Sequence, residues 1–345
     1  MGLRALLYVE GEWDPSLFCQ EEESAVPIYK IPIAAGRMSK SAHELLAGAE
    51  RLPKSVYGPP AAAKKPITFN HTIPAAEARE RWGEGVTSKE KNRQEKAVIP
   101  QPRELLMIAA TDQTVQVAKQ LGIAVAGYVN PLFPRQTFAG VPMVIEGFEE
   151  VDLEFLDRIY RRCHGLPWGI AVTERCLIRE MTLEDLDDLI QLYQQPGITW
   201  RLDEKGNRIP GFIEPLYPRE EEKTYQQAYI SNMYGYYGYG MWAVVDRESG
   251  KLIGRAGLDH REYDFKVELE MGYLIDPKYQ HRGIATEVCQ AILDFARENL
   301  DFSRINALTD PQNFASEALL KRLGFVYLED FPVAGKPMRR YTFHF

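Results

Sequence analysis

The chain has 345 residues, long for a single hydrophobic core, so two domains are expected. With 45% hydrophobic and 26% charged residues, it has enough core material to fold without disulfides or metals. A formal net charge of −8 disfavours non-specific contact with nucleic acid and favours cationic partners such as amines.

No nucleic-acid partner and no bound metal are expected. Cys19, Cys163, Cys176 and Cys289 form no CxxC pair and no zinc-ligand spacing, and read as reduced thiols. The apolar segment Ala5–Val9 is too short for a signal-peptide core. Gly2 has Leu6 where a myristoylation motif carries Ser or Thr, and no apolar run approaches a membrane span. A cytoplasmic location without membrane attachment is expected.

In chain order, residues 4–9 read as a short buried strand. Residues 52–74, with Pro53, Pro59, Pro60, Pro66 and Pro74, are unsuited to a regular element. Residues 84–97 are charged and read as a solvated helix or a loop. Glu104–Ala110 is strand-like, and Thr111 or Asp112 can cap a helix over Gln113–Leu121 that stops at Gly122. Strands at Ile123–Val129 and Val141–Ile145 follow, then a helix over 151–163 with Val151, Phe155, Ile159 and Tyr160 on one face. Such alternation predicts a Rossmann-like αβ domain over residues 1–172. His164-Gly-Leu-Pro-Trp168 breaks the pattern and sets the boundary at about 165–175.

The second half, 173–345, opens with a strand at Leu177–Glu180 and a helix over 183–194; residues 195–222 read as loop. Strands at Met241–Asp246, Lys251–Leu258 and Val267–Ile275 precede a helix over 284–299, where Ala285, Val288, Ile292, Phe295 and Ala296 keep the helical period. A strand at Arg304–Thr309, a helix at 314–322 and strands near 325–330 and 338–345 complete a mixed α+β sheet. The fold class expected is thus α/β followed by α+β.

The chemistry concentrates in Glu270–Ala285. A strand ends at Ile275, and Gln280-His-Arg-Gly-Ile-Ala285 leads directly into an amphipathic helix. Gly283 removes a Cβ where a backbone must approach closely, and the unpaired N–H groups of a helix start carry positive dipole. Together they can cradle a pyrophosphate.

The pattern (Gln/Arg)-x-x-Gly-x-(Gly/Ala) between a strand and a helix resembles the CoA-binding motif of the GNAT superfamily of N-acetyltransferases. Glu270 before Met271-Gly-Tyr-Leu-Ile275 is similar to that family's fourth strand. Thr309-Asp-Pro-Gln-Asn313-Phe-Ala-Ser316 and Leu323-Gly-Phe325 resemble its downstream signature, in the branch that includes the ribosomal-protein N-terminal acetyltransferases. The resemblance covers about residues 175–345 and implies a GNAT mixed-sheet domain using acetyl-CoA. It places Gln280, Arg282, Gly283 and Ala285 around the pyrophosphate, with donors from His281, Ile284 and Thr286. Leu274 and Ile275 would pair their backbone with the pantetheine arm. Glu270 would be the general base, with Glu268 of the same strand parity as its neighbour. Asn313 would hold the pantetheine or acetyl region unless it only caps its helix, and Ser316 would sit near the thiolate. One departure stands out: where many members carry a tyrosine acid for the leaving thiolate, this chain has Leu320, so either Ser316 takes that catalytic role or the thiolate leaves without a dedicated acid.

A base is chemically required. An amine of pKa about 10.4 must spend roughly 4.6 kcal/mol to become neutral at pH 7, and a positioned carboxylate or water chain can take that proton. The acceptor expected is a small-molecule amine or a protein N-terminus. The alternative is a CoA-binding regulatory module without turnover. Tyr234-Gly-Tyr-Tyr-Gly-Tyr-Gly240 is a candidate acceptor wall or a packing segment.

In the N-terminal half, Leu6-Leu-Tyr8-Val-Glu10-Gly resembles the first strand of haloacid-dehalogenase-like phosphatases, with Tyr8 at the nucleophilic aspartate's place and Glu10 at the second aspartate's. A phenol cannot form the aspartyl-phosphate, so this half is expected to be non-catalytic.

Overall fold

The computed structural model describes residues 3–9, 12, 13, 15, 26–31, 50, 51, 100–149, 151–263 and 266–345. Glu10, the proline- and alanine-rich segment 52–74 and the charged segment 84–97 lie outside them. The chain divides into two compact units, Met1–Leu166 and Pro167–Phe345.

The first unit is built on β1 (Ala5–Val9), β2 (Ile28–Ile31), β3 (Glu50–Arg51), β4 (Leu105–Ala109), β5 (Ala124–Tyr128) and β6 (Val144–Ile145). Their order is β3-β2-β1-β4-β5-β6, parallel throughout except for β3. Every residue of β1 and β4 is buried, and strand alternation sorts them to two faces. Leu6, Tyr8, Leu106 and Ile108 pack with Leu156, Ile159 and Tyr160 of helix α2 (Leu153–Cys163). Leu7, Val9, Leu105 and Met107 pack with Val115 and Ala118 of helix α1 (Asp112–Gln120). A sheet covered on both faces explains its near-continuous apolar strands. Thr111 caps α1 by accepting from Thr114 N at 3.2 Å, and Asp152 caps α2 through Phe155 N at 2.7 Å. The strand expected over Val141–Ile145 reduces to the two residues of β6.

At the C-terminal ends of β1 and β4, the protein's own Glu12 occupies the start of α1. Its buried carboxylate accepts from Ala110 N at 2.7 Å and from the Thr111 hydroxyl at 2.9 Å. The chain passes from β1 to β2 on one side and reaches β4 on the other, so this is the crevice where parallel αβ sheets commonly hold ligands. Here a side-chain anion takes the helix dipole and donors instead.

The second unit carries an eight-stranded sheet of order β15-β16-β14-β13-β12-β11-β8-β7. Its strands are β7 (Gly169–Val172), β8 (Cys176–Arg179), β11 (Met241–Asp246), β12 (Leu252–Tyr263), β13 (Lys266–Ile275), β14 (Arg304–Thr309), β15 (Val326–Val333) and β16 (Lys336–His344). Only β13 and β14 run parallel. Because β7 pairs with β8, it belongs to this unit, and the division falls at Leu166/Pro167, ahead of 172/173. Helix α5 (Ile284–Asn299) buries Ile284, Val288, Cys289, Ile292, Leu293, Phe295 and Ala296 against the sheet. Each fully buried aliphatic contributes about 1.5–3 kcal/mol, and Phe295 meets Trp242 edge-on with ring centroids 5.2 Å apart.

Two segments differ from the sequence reading. Residues 195–222 contain the hairpin β9 (Trp200–Leu202) and β10 (Arg208–Pro210) and the start of helix α4 (Arg219–Tyr229), which follows α3 (Leu186–Tyr193). The α4 sequence shows little apolar period; Glu220, Glu221 and Glu222 favour its N-terminus, and buried Gln226 donates to Glu222 at 2.6 Å. The aromatic stretch then winds as a wide π-type helix over Ile230–Tyr237, ended by Gly238 at φ 76°. Its packing is specific: the Tyr234 hydroxyl donates to Met241 O at 2.6 Å, and Met241 N donates to the Tyr229 hydroxyl at 2.7 Å.

Candidate active site

The sheet opens between β13 and β14. One register pair joins them, Glu270 opposite Asn306. From Met271 to Ile275, β13 pairs with β12 on one edge and, among the described residues, with no strand on the other. Such a free edge is a template for an extended chain. Leu274 and Ile275 lie along it; the Ile275 carbonyl already accepts from Gln280 Nε2 at 2.8 Å.

Past the edge, the chain turns through Gln280, His281, Arg282 and Gly283 into α5. His281 has φ 58° and Gly283 φ 78°, both left-handed, where glycine is favoured and histidine is tolerated at a cost. Gly283 is the residue before the first turn and offers no side-chain cap. The first helical bond runs from Glu287 N to Gly283 O at 3.1 Å, so the N–H groups of Ile284, Ala285 and Thr286 precede the bonded ladder. A Cβ on Gly283 would lie 3.7 Å from Arg175 Nη2. Gln280 to Gly283 are all exposed. The arrangement suits a pyrophosphate: bare helix donors, dipole, guanidinium groups and no side chain in the way.

Arg175 is absent from the sequence reading. It donates from Nη1 to Arg282 O at 2.7 Å, and from its backbone N and Nε to Glu287 at 2.9 and 2.7 Å. It thereby ties the approach to β8 to both the glycine loop and the first turn of α5. Its separation from the loop by more than a hundred residues left no local signal. Burial pushes the Glu287 carboxyl up, but hydrogen bonds from Thr173 and Arg175 outweigh it, and its pKa lies below the ordinary 4.5.

Three carboxylates share one face of β12 and β13. Glu270 is held by Arg261, through Nε and through Nη2 at 3.1 Å, and by the Tyr263 hydroxyl at 2.7 Å. Burial, then the Glu270 charge, raise the Tyr263 pKa, so this phenol stays a donor to the carboxylate. Glu268 is bound by Arg304, by Asn306 Nδ2 at 2.7 Å and by Arg340 at 2.8 Å. Burial raises its pKa less than these partners lower it. Glu268 therefore belongs to a structural network. Asp259, missed in the sequence, stands directly opposite Glu270 in register, within cross-strand contact distance. It accepts from the neighbouring His260 N at 2.8 Å, and it makes no salt bridge among the described residues.

Asn313 caps helix α6 (Phe314–Arg322), accepting from Ser316 N at 3.2 Å. The Ser316 hydroxyl lies 2.8 Å from the Tyr273 hydroxyl of β13, so it spans the opening between β13 and α6. Leu320 is fully buried in the core. Among the described residues no group of histidine, cysteine and acidic side chains is arranged to hold a metal, and no helix is long and apolar enough to cross a membrane.

The family model described as acetyltransferase (GNAT) domain matches residues 175–326, within the second unit; the dehalogenase-like resemblance of β1 receives no support from it. The chain is 28% identical over 105 residues to the uncharacterized protein YkkB of Bacillus subtilis, covering 30% of this chain and 61% of that relative. It is 26% identical over 153 residues to the uncharacterized N-acetyltransferase p20 of Bacillus licheniformis, covering 44% and 80% respectively. A solved acetyltransferase from Agrobacterium tumefaciens is 24% identical, with 50% of this chain and 93% of that chain covered at a TM-score of 0.40.

Proposed function

Residues 175–326 form a GNAT acetyltransferase domain, and from that premise we propose that the second unit transfers an acetyl group from acetyl-CoA to a primary amine, of a small molecule or a protein N-terminus. The observation that carries this reading is the juxtaposition of the uncapped α5 start at Gly283 with the open edge of β13. Acetyl-CoA supplies the activated thioester. Arg282, the loop Gln280–Gly283 and the N–H groups of Ile284, Ala285 and Thr286 would hold its pyrophosphate, with Arg175 bracing the loop. Leu274 and Ile275 would offer backbone to the pantetheine arm, with Asn313 at its far end.

Glu270 is the candidate base, acting through water, because it stands at the point where β13 and β14 part. Its partners Arg261 and Tyr263 hold the carboxylate in place at that point. Asp259, opposite it and in no salt bridge among the described residues, is the second candidate and a ready counter-charge for an ammonium group. Two carboxylates at one mouth favour a cationic acceptor over a neutral one. The test is release of free CoA thiol from acetyl-CoA over a panel of primary amines and peptides with free N-termini. Release with an accepted amine supports transfer. Saturable acetyl-CoA binding without release for any amine favours the regulatory module.

A further inference from the structure

Leu320 occupies the position where a tyrosine acid is expected, and it is buried in the core. Resting on the acetyl-transfer reading above, we infer that Tyr273 of β13 acts in its stead as a positioning residue, orienting the Ser316 hydroxyl as a hydrogen-bond donor to the departing CoA thiolate.

The geometry is direct. The Tyr273 and Ser316 hydroxyls are 2.8 Å apart, across the gap that β13 and β14 leave beyond their single pairing at Glu270 and Asn306. A serine in the first turn of a helix has no fixed hydroxyl direction, and local backbone carbonyls compete for its proton. When the Tyr273 O–H donates to Ser316 Oγ, the serine proton is left to point into the opening. A chain of two hydroxyls also polarises itself, which strengthens the terminal donor. The second contact of Tyr273, to Ser316 O, is longer at 3.4 Å.

Burial raises the Tyr273 pKa, and the buried Cys289 thiol of α5 adds to the rise. A phenol held above its ordinary value of about 10 cannot usefully give its proton to a thiolate of ordinary pKa about 8.5. The pair is therefore a hydrogen-bonding device. As the amine nitrogen bonds to the acetyl carbon and loses a proton to the base, the C–S bond breaks and its electron pair stays on sulfur. The thiolate is stabilised by the Ser316 O–H and is later protonated from solvent, while Tyr273 keeps its proton throughout.

The test uses CoA bound to the full chain, with no acceptor. Ultraviolet titration of the thiolate reads the pKa of the bound thiol, and equilibrium dialysis of CoA reads binding. In the wild type the bound thiol titrates below free CoA. Tyr273→Phe and Ser316→Ala should each raise it by about one unit, tenfold in thiolate ratio, with CoA affinity within about threefold of wild type. The double variant should rise no further than either single one. Ser316→Ala leaves the β13 core intact and reads the relay even if Tyr273→Phe folds poorly. If Ser316→Ala leaves the titration unmoved, or Tyr273→Phe folds and leaves it unmoved, the inference is overturned and Tyr273 is only a tie between β13 and α6. Failure of the wild type to bind CoA would instead remove the acetyl-transfer reading itself.

Discussion

Replacing Gly283 by aspartate separates two roles of one residue. Gly283 has φ 78°, and a side chain in the left-handed region costs about 1–2 kcal/mol, at the lower end for aspartate. For a unit of this size each kcal/mol moves Tm by about 2–4 °C, so the unliganded variant should melt roughly 2–8 °C lower. Space is not limiting, since the nearest atom to the new Cβ is Arg175 Nη2 at 3.7 Å. The larger effect is charge. A carboxylate about 5 Å from one phosphate charge, at an effective dielectric constant near 20, repels it by about 3.3 kcal/mol, a loss of more than a hundredfold in affinity. At acetyl-CoA about 100 times its wild-type Kd, ligand adds about 2.7 kcal/mol to the wild type, and should add only about 0.2 kcal/mol to the variant. Differential scanning fluorimetry with and without acetyl-CoA measures both. Gly283→Ala, with the strain but not the charge, should keep most of the ligand effect. An aspartate variant that retained the full ligand-induced shift would refute the phosphate cradle at α5.

Glu270→Gln should lower the transfer rate by roughly 100-fold at neutral pH with partial recovery as pH rises, while acetyl-CoA binding is kept; if Asp259→Asn shows that behaviour and Glu270→Gln does not, the base is Asp259. Glu268 and Glu287 have pKa values held below the ordinary 4.5, so their contribution to stability is full above that value and is lost as pH falls through their lowered folded values. Acid titration of unfolding should show the wild type losing stability below about pH 4.5, and Glu287→Gln should flatten that loss. The full chain should show no magnesium-dependent turnover of generic phosphate esters, because Tyr8 is a buried phenol and Glu12 fills the crevice at α1; sustained phosphate release by the purified chain would contradict this.

Much of this architecture was legible because it is written in local periods. The helix over 284–299 shows its buried face at every third or fourth residue, and β1 and β4 are runs of apolar residues bounded by polar ones. The glycine loop was legible because Gly283 is required by a positive φ, a purely local constraint. What escaped was non-local or aperiodic. Arg175 braces the loop from far along the chain. Asp259 becomes a site candidate only through its register with Glu270. The winding over Ile230–Tyr237 has no periodic signature, and Tyr234 fastens it to β11. Glu268 and Glu270 have the same parity in the sequence, and only their partners tell them apart: Glu268 sits in a network with Arg304, Asn306 and Arg340, whereas Glu270 sits where the sheet opens.

The most direct measurement is the fate of an isotopically labelled acetyl group. Labelled acetyl-CoA is incubated with the full chain and the amine panel, and acceptors are analysed by mass spectrometry alongside free CoA thiol. The account predicts an amide carrying the label on one class of primary amine, with one thiol released per amide and neither formed by Gly283→Asp. Bound acetyl-CoA with no labelled amide on any amine or peptide N-terminus would contradict it.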